Sequence, residues 1–398
     1  MQQSVIHKLL IRLVIFLAIG AIPVRASIRP SFHLDWCSWN ATHIVLVRTT
    51  SKDGVFSVTK SWKGDLKPGD SLAVPELKPD KDAVAISSYP KPEGFDVDDA
   101  QAVAQQIPRQ PVGAEMILFL RKKDTASSPA TEATGTRWQP ASSFGGMKVS
   151  AVWIDHGSAF CFLQWMNPGP SALYKCLDFS VGSSDVAVLT ARIQHVLQVQ
   201  GALAMTIAIK DHPEARADRI GHIAQGDVWV AQGEALDALG KSGAVALPEI
   251  LQAMDKPTVP YDSAVTIRAL VEAAGNDSGR VLNGRLQQDL IYWRTIAPTL
   301  TLGWRGRLTD PGGPLWVKFD ETEALIRELD EERYAPAAQT AAELRDFWVS
   351  QPVLNDPSGG QPDGNSGTAP EAAPTHFLGL AKDCDDFVKH MASGKARQ

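Results

Sequence analysis

Hydrophobic and polar positions change period once along this chain, near Ser183, and the change divides it into a β-patterned part and a helical part. From Ala41 to Leu77 the pattern predicts three successive strands, Ile44–Arg48, Val55–Trp62 and Ser71–Val74. They are short runs of β-branched and aromatic residues between turn signals. Asp53-Gly54 supplies a residue tolerant of positive φ for a tight hairpin, and Lys67-Pro68-Gly69-Asp70 fixes φ with Pro and follows it with Gly. Val55, Ser57, Thr59 and Ser61 alternate with Phe56, Val58, Lys60 and Trp62, so neither face of the second strand is purely apolar. Glu115–Arg121 (EMILFLR) is apolar enough to be central. Trp138, Val149–Ile154 and Ala159–Met166 complete a β-rich domain ending near Phe179, which predicts a small barrel or sandwich. Pro75–Pro111, with six prolines and the acidic run Glu93–Asp99, reads as a long insertion holding one helix, Asp98–Gln106. Thr125–Thr136 reads as a polar loop.

Beyond Ser183, Val186, Leu189, Ile193, Val196 and Leu197 share one helical face, and the chain reads as mainly helical to Ser350. A repeat is visible within it. Gly233–Gly240 followed by Ala246–Leu251 is matched 35 positions on by Arg268–Gly275 followed by Val281–Leu286, each unit being helix, Gly-containing turn, helix. Such hairpins bury their apolar faces only by stacking. Asp218–Gln232 is expected to hold a degenerate third unit, and the Trp-bearing segments Leu290–Ile296 and Ala342–Val349 to cap the array; a plain helical bundle is the alternative. Pro352–Thr375, with nine Pro or Gly in twenty-four residues, reads as a disordered linker. Phe377, Leu380, Cys384, Phe387 or Val388, and Met391 then form the stripe of a short amphipathic helix.

The first 26 residues change the compartment. Lys8 and Arg12 lead into the apolar run Leu13–Ile19, and Val24-Arg25-Ala26 offers a cleavage site, the pattern of a secretory signal peptide; an uncleaved anchor is the alternative. Removing Lys8, Arg12 and Arg25 with the leader takes the net charge from −6 to −9, which argues against nucleic acid and anionic membrane surfaces as partners. Four cysteines in an exported chain invite disulfides. Cys161 and Cys176 lie symmetrically about Pro168-Gly169, and a four-residue loop Asn167–Pro170 sets them opposite each other on two strands, a position for a cross-strand bridge. Cys37 and Cys384 are left either to pair by default or to stay free.

Candidate chemistry adds little. The nine histidines include no His-x-x-x-His, and no Cys-x-x-Cys occurs, so no local zinc site is predicted. Asp96, Asp98 and Asp99 lack the rest of a calcium loop. Gly182–Asp185 and Ser142–Gly146 lack the strand-elbow-helix frame that exposes a nucleophile. Gly64–Lys67 and Gly303–Gly306 are not phosphate cradles. His156 follows Asp155, and neighbours on a strand point to opposite faces, so no relay by adjacency is expected. Asp320-Glu321-Thr322-Glu323 and Asp330–Arg333 read as solvated faces, Glu323 pairing with Arg327. Among eleven tryptophans, Trp36, Trp39 and Trp62 of the β domain could stack on sugars, though core packing is their commoner fate.

Ala41-Thr42-x-Ile44-Val45-Leu46-Val47, the Asp-Gly hairpin, Phe56-x-Val58-x-x-x-Trp62-Lys63-Gly64 and Leu66-Lys67-x-Gly69-Asp70 resemble the first strands of netrin-like domains, including the tissue inhibitors of metalloproteinases, over about forty residues. The resemblance implies an OB-type barrel. In those inhibitors a Cys-x-Cys opens the mature chain and its terminal amine chelates the target's zinc, whereas Cys37 stands alone inside the expected terminus, so that chemistry is not implied. The helical half resembles HEAT repeats, which implies a curved scaffold that binds proteins. The combination looks like an exported bacterial protein.

The expectation is therefore an α+β chain of two domains: signal peptide 1–26, β-rich netrin/OB-like domain 27–180, HEAT-like repeat domain 181–351, disordered linker 352–375 and amphipathic helix 376–398. Its expected work is non-enzymatic protein binding in the periplasm or outside the cell, with no catalytic residue, cofactor or metal assigned and no membrane span after cleavage. The alternatives are an envelope or secreted hydrolase or metal-dependent enzyme with a site assembled from distant residues, and a secreted protease inhibitor.

Overall fold

The computed structural model describes residues 32–79, 110–122, 138–141, 150–165, 172–176, 179–255, 263–296, 314–351 and 373–393. The leader, the helix expected over Asp98–Gln106, the acidic run at Asp96–Asp99 and residues 352–372 of the expected linker lie outside the described residues, while residues 373–375, also expected as linker, open a helix. The chain forms two units, an antiparallel sheet unit and a helical unit, an α+β layout.

The sheet unit contains β1 (His43–Thr49), β2 (Val55–Lys63), β3 (Ser71–Ala73), β4 (Glu115–Lys122), β5 (Trp138–Pro140), β6 (Ala151–Asp155), β7 (Ser158–Trp165) and β8 (Ala172–Cys176). Every ladder is antiparallel, in the order β3-β2-β1-β4-β6-β7-β8, with β5 against the far end of β4. Among the described residues no ladder joins β3 to β8, so the described sheet is open. β4 is central as its apolar run requires, Met116 through Leu120 being buried. Registers Val45↔Leu118, Val47↔Met116 and Met116↔Trp153 put one set of side chains on one face, where they join Phe56, Val58, Leu72 and Phe162 in a core. The alternate residues face the other way, where Phe119 meets Phe32 with ring centroids 5.9 Å apart.

The helical unit begins with α1 (Leu34–Asn40), a segment whose aromatics the sequence places with the β domain; Leu34–Ala41 groups instead with the residues from Ala187 onward. It continues through α2 (Val186–Ala208), α3 (Pro213–Ala224), α4 (Ala231–Gly240), α5 (Leu247–Asp255), α6 (Ser263–Ala274), α7 (Ser278–Ile296), α8 (Pro314–Glu332), α9 (Ala338–Val349) and α10 (Ala373–Ser393). α4 packs on α6 and α6 on α8, while α7 packs on α8 and α9; α10 covers α8 and α9. The stack has a period slightly shorter than the 35 positions read from sequence, since α6 starts 32 positions after α4 (Ser263 against Ala231). The reason lies in the glycines. Gly240 is the last residue of α4, pressed against α6 so that a Cβ would come within 3.2 Å of the Ala269 carbonyl oxygen, whereas the left-handed turns fall at Gly243 (φ 75°) and Gly275 (φ 55°). Trp293 and Trp348, in the segments expected to cap the array, meet edge to face at 4.9 Å in its core, and Leu380, Cys384 and Phe387 of α10 are buried beside them in the same apolar cluster.

Candidate functional site

In the sheet unit the turn Asp53-Gly54, with Gly54 at φ 71°, closes β1 onto β2, and a 3-10 turn, Pro75–Leu77, follows β3. Thr50 Oγ1 donates to the Val55 carbonyl at 2.8 Å and fixes the hairpin. Between these turns and the start of β4 lies a small cleft of about 40 Å³ with Phe56, Leu77, Met116 and Trp153 among its apolar walls and Thr49, Lys52, Asp53 and Gln110 at its polar rim.

At the other end of β1, His43 is 6% exposed; its Nε2 lies 2.7 Å from Asp65 Oδ1 and its Nδ1 3.0 Å from Thr42 Oγ1. Lys122 donates to Asp65 Oδ2 at 3.0 Å, and Trp138 sets its ring edge to face with the imidazole at 4.5 Å. The hydrogen bond from His43, with Lys122 beside it, holds Asp65 down at about 2. Gly64 makes room for this: at φ 92° its Cα lies against the ring, and a Cβ would sit 2.0 Å from His43 Cδ2. The arrangement clasps the turn after β2 to β1 and β4. The Thr42 hydroxyl is also within 3.1 Å of the Leu120 carbonyl, an acceptor for its single proton, so its geometry serves the clasp.

The helical unit carries two charged clusters. In the first, Arg192 of α2 grips Asp35 of α1 through Nε (2.8 Å) and Nη2 (2.6 Å) and reaches Asp227, which also meets His195 Nε2 at 2.9 Å. Bonding to His195 and Arg192 holds Asp227 down at about 2. Trp36 stacks on Trp229 with centroids 6.1 Å apart. In the second, between α7 and α8, Arg285 donates from Nε to Glu321 Oε1 at 2.5 Å and from Nη1 to Asp255; Lys318 donates to the same Glu321 oxygen at 3.0 Å and ion-pairs with Asp289. Thr322 Oγ1 lies 2.9 Å from Asp289 Oδ2 and 2.8 Å from the Lys318 carbonyl and accepts Trp293 Nε1–H at 3.0 Å. Asp289, Glu321 and Thr322 are 0%, 1% and 0% exposed, so the reading of Asp320–Glu323 as a solvated face is corrected: Glu321 points into the stack, while Glu323 and Arg327 pair outside at 3.8 Å. Burial, reinforced by Glu321, pushes Asp289 up. Nothing local distinguishes Glu321 from Glu323 except its phase on α8, which a reading by charge alone passes over.

The other expectations are placed as follows. Cys161 pairs in register with Cys176, the alignment that counting outward from the loop requires, but no disulfide is formed among the described residues. Cys37 and Cys384 are both buried in the helical unit, and burial pushes the Cys384 thiol up to about 12. Asp155 and His156 do meet, Oδ1 to Nδ1 at 2.6 Å, because His156 is a turn residue at φ 50° rather than a strand residue; both are exposed. Ser183 Oγ accepts the Asp185 N–H at 3.1 Å in a turn. Trp36 and Trp39 belong to the helical unit, and Lys60 lies over the Trp62 ring at 5.0 Å. Among the described residues no three His, Cys, Asp or Glu side chains converge as metal ligands, and no described helix is long and apolar enough to cross a membrane.

These features define an α+β chain in which an antiparallel sheet accompanies a stack of helix hairpins that carries charged clusters. No family model matches the chain, and no curated protein or solved structure matches it either.

Proposed function

We propose that this chain is an exported, non-enzymatic scaffold in which a netrin/OB-like β unit accompanies HEAT-like hairpins that bind another protein. The observation that carries the reading is the succession α4 on α6 on α8, with α7 on α8 and α9, the packing of one helix hairpin on the next that a repeat scaffold requires. α7 contributes Gln287, Gln288, Ile291 and Arg294 to its exposed side, a mixed surface with one large apolar residue, Ile291, 64% exposed. In an exported chain the register of Cys161 against Cys176 is the place for a disulfide.

Crosslinking of the mature protein in its native compartment, with mass spectrometry of the captured peptides, tests the reading. A recurrent protein crosslinked to residues 231–296 is the expected result. Crosslinks confined to the sheet unit around Lys52 would overturn it and move the work to the cleft.

A further inference from the structure

We propose that α10 is a resident ligand of the helical unit: it fills a seat on α8 and α9 that takes an amphipathic helix, and it yields that seat to a partner helix of the same pattern. The seat stands without it. α8 is held by α6 and α7, and α9 by α7, so both keep packed neighbours when α10 is away. α10 is joined to α9 by twenty-three residues, 350–372, the longest connection between successive helices from α2 onward. A tether of that length gives the docked helix an effective concentration on the order of 1 mM, so docking in cis is favoured and exchange stays within reach of a competing helix.

The contact has the anatomy of an interface between molecules, an apolar centre inside a polar rim. Leu380, Cys384 and Phe387, spaced four and three apart, are buried on one side of α10 in the cluster that also holds Leu325, Leu329, Leu344 and Trp348. At the rim, Asp385 accepts from Arg345 of α9 at 3.2 Å, and His390 Nδ1 lies 3.2 Å from both carboxylate oxygens of Asp330 of α8. Arg345, Asp385 and His390 are partly exposed, so these pairs orient the helix more than they hold it. Helix-in-groove recognition is built from the same parts. The partner that fits is an amphipathic helix with apolar residues at i, i+4 and i+7, a carboxylate at i+5 for Arg345 and a base at i+10 for Asp330. The seat belongs to residues 314–349, outside the 231–296 to which the scaffold reading assigns its partner, so it is a second surface and stands or falls by a separate test.

Cys384 reports whether α10 is docked, because its thiol is fully buried under the helix and burial pushes it up to about 12. In the reduced full-length chain, iodoacetamide alkylation read by peptide mass spectrometry is expected to reach Cys384 with a weaker dependence on urea than global unfolding followed by circular dichroism, since release of one helix exposes less surface. A synthetic peptide of residues 373–393 carrying Cys384→Ala, added at about 1 mM, should take the seat in trans and speed alkylation of the chain's Cys384 about tenfold or more, leaving Cys37 at its own rate. The same peptide with Phe387→Asp should leave both rates unchanged. Alkylation of Cys384 only together with global unfolding, or an intact peptide that speeds it no more than the Phe387→Asp peptide does, would overturn the proposal.

Discussion

His43 and Gly64 show how narrowly one position can be specified. The ring lies against a backbone with φ 92° and no side chain, so Gly64→Ala meets both a strained conformation and an overlap at 2.0 Å. The variant is expected to lose about 1–3 kcal/mol in urea denaturation, and an unchanged midpoint would contradict the clasp. Asp65 and Asp289 are opposites in sign. The depressed Asp65 contributes stability above its unfolded value that is lost as pH falls toward 2, while the raised Asp289 contributes stability that is lost as pH rises. Arg285, 4% exposed, answers the buried carboxylate of Glu321; Arg285→Met should destabilise the chain by about 3–5 kcal/mol, since it removes the guanidinium from a buried ion pair. Thermal melting beside Arg294→Met, which removes an exposed pair, checks that the loss is specific to burial. None of these contacts was readable locally. Arg285 and Glu321 lie 36 positions apart, and their acidic and basic neighbours look the same in the sequence.

At the scale of elements, the sequence was more informative where the signal was local. β1, β2, β3 and β4 fall within one or two residues of the runs that announced them, because turn chemistry at Asp53-Gly54 and Pro68-Gly69 and the apolar run of β4 are all written in neighbouring residues. α1 was missed as a helix: LDWCSWN is seven residues of mixed character, and its order comes from partners such as Arg192 on Asp35 and Gln200 on the Trp39 carbonyl. The period of the hairpins was read three positions too long because two glycines with different work were aligned. Leu270 is fully buried in α6, at the middle of the stack. Leu270→Ala is expected to cost about 2–5 kcal/mol, while Leu270→Asp should abolish both the array and its association; association retained by an unfolded array would contradict the scaffold. Between β7 and β8, peptide mapping without reductant is expected to find Cys161 joined to Cys176, and reduction to lower stability by about 3 kcal/mol. Recovery of both cysteines as alkylated thiols from the protein would remove the bridge.

For the whole molecule, the boundary between units does not follow the order of the chain. Leu34–Ala41 precedes β1 yet belongs to the helical unit, so a fragment of residues 187–398 lacks Asp35 and leaves Arg192 with Asp227 alone. Calorimetry of that fragment should show a lower melting temperature than the helical transition of the full chain, and adding a peptide of residues 34–41 should raise it again. Equal melting of fragment and full chain would show that α1 is dispensable. By itself the sequence determined the class of β1 to β4 and of the main helices, the division near Ser183 and the register that sets Cys161 opposite Cys176, since alternation, helical period and turn residues act over a few neighbours. Only the tertiary structure decided the unit to which α1 belongs, the acidic residues that are buried and the polar groups that meet across helices. Those outcomes depend on which faces pack together, and desolvation turns an ordinary Asp or Glu into a titrating core group only after that packing is complete.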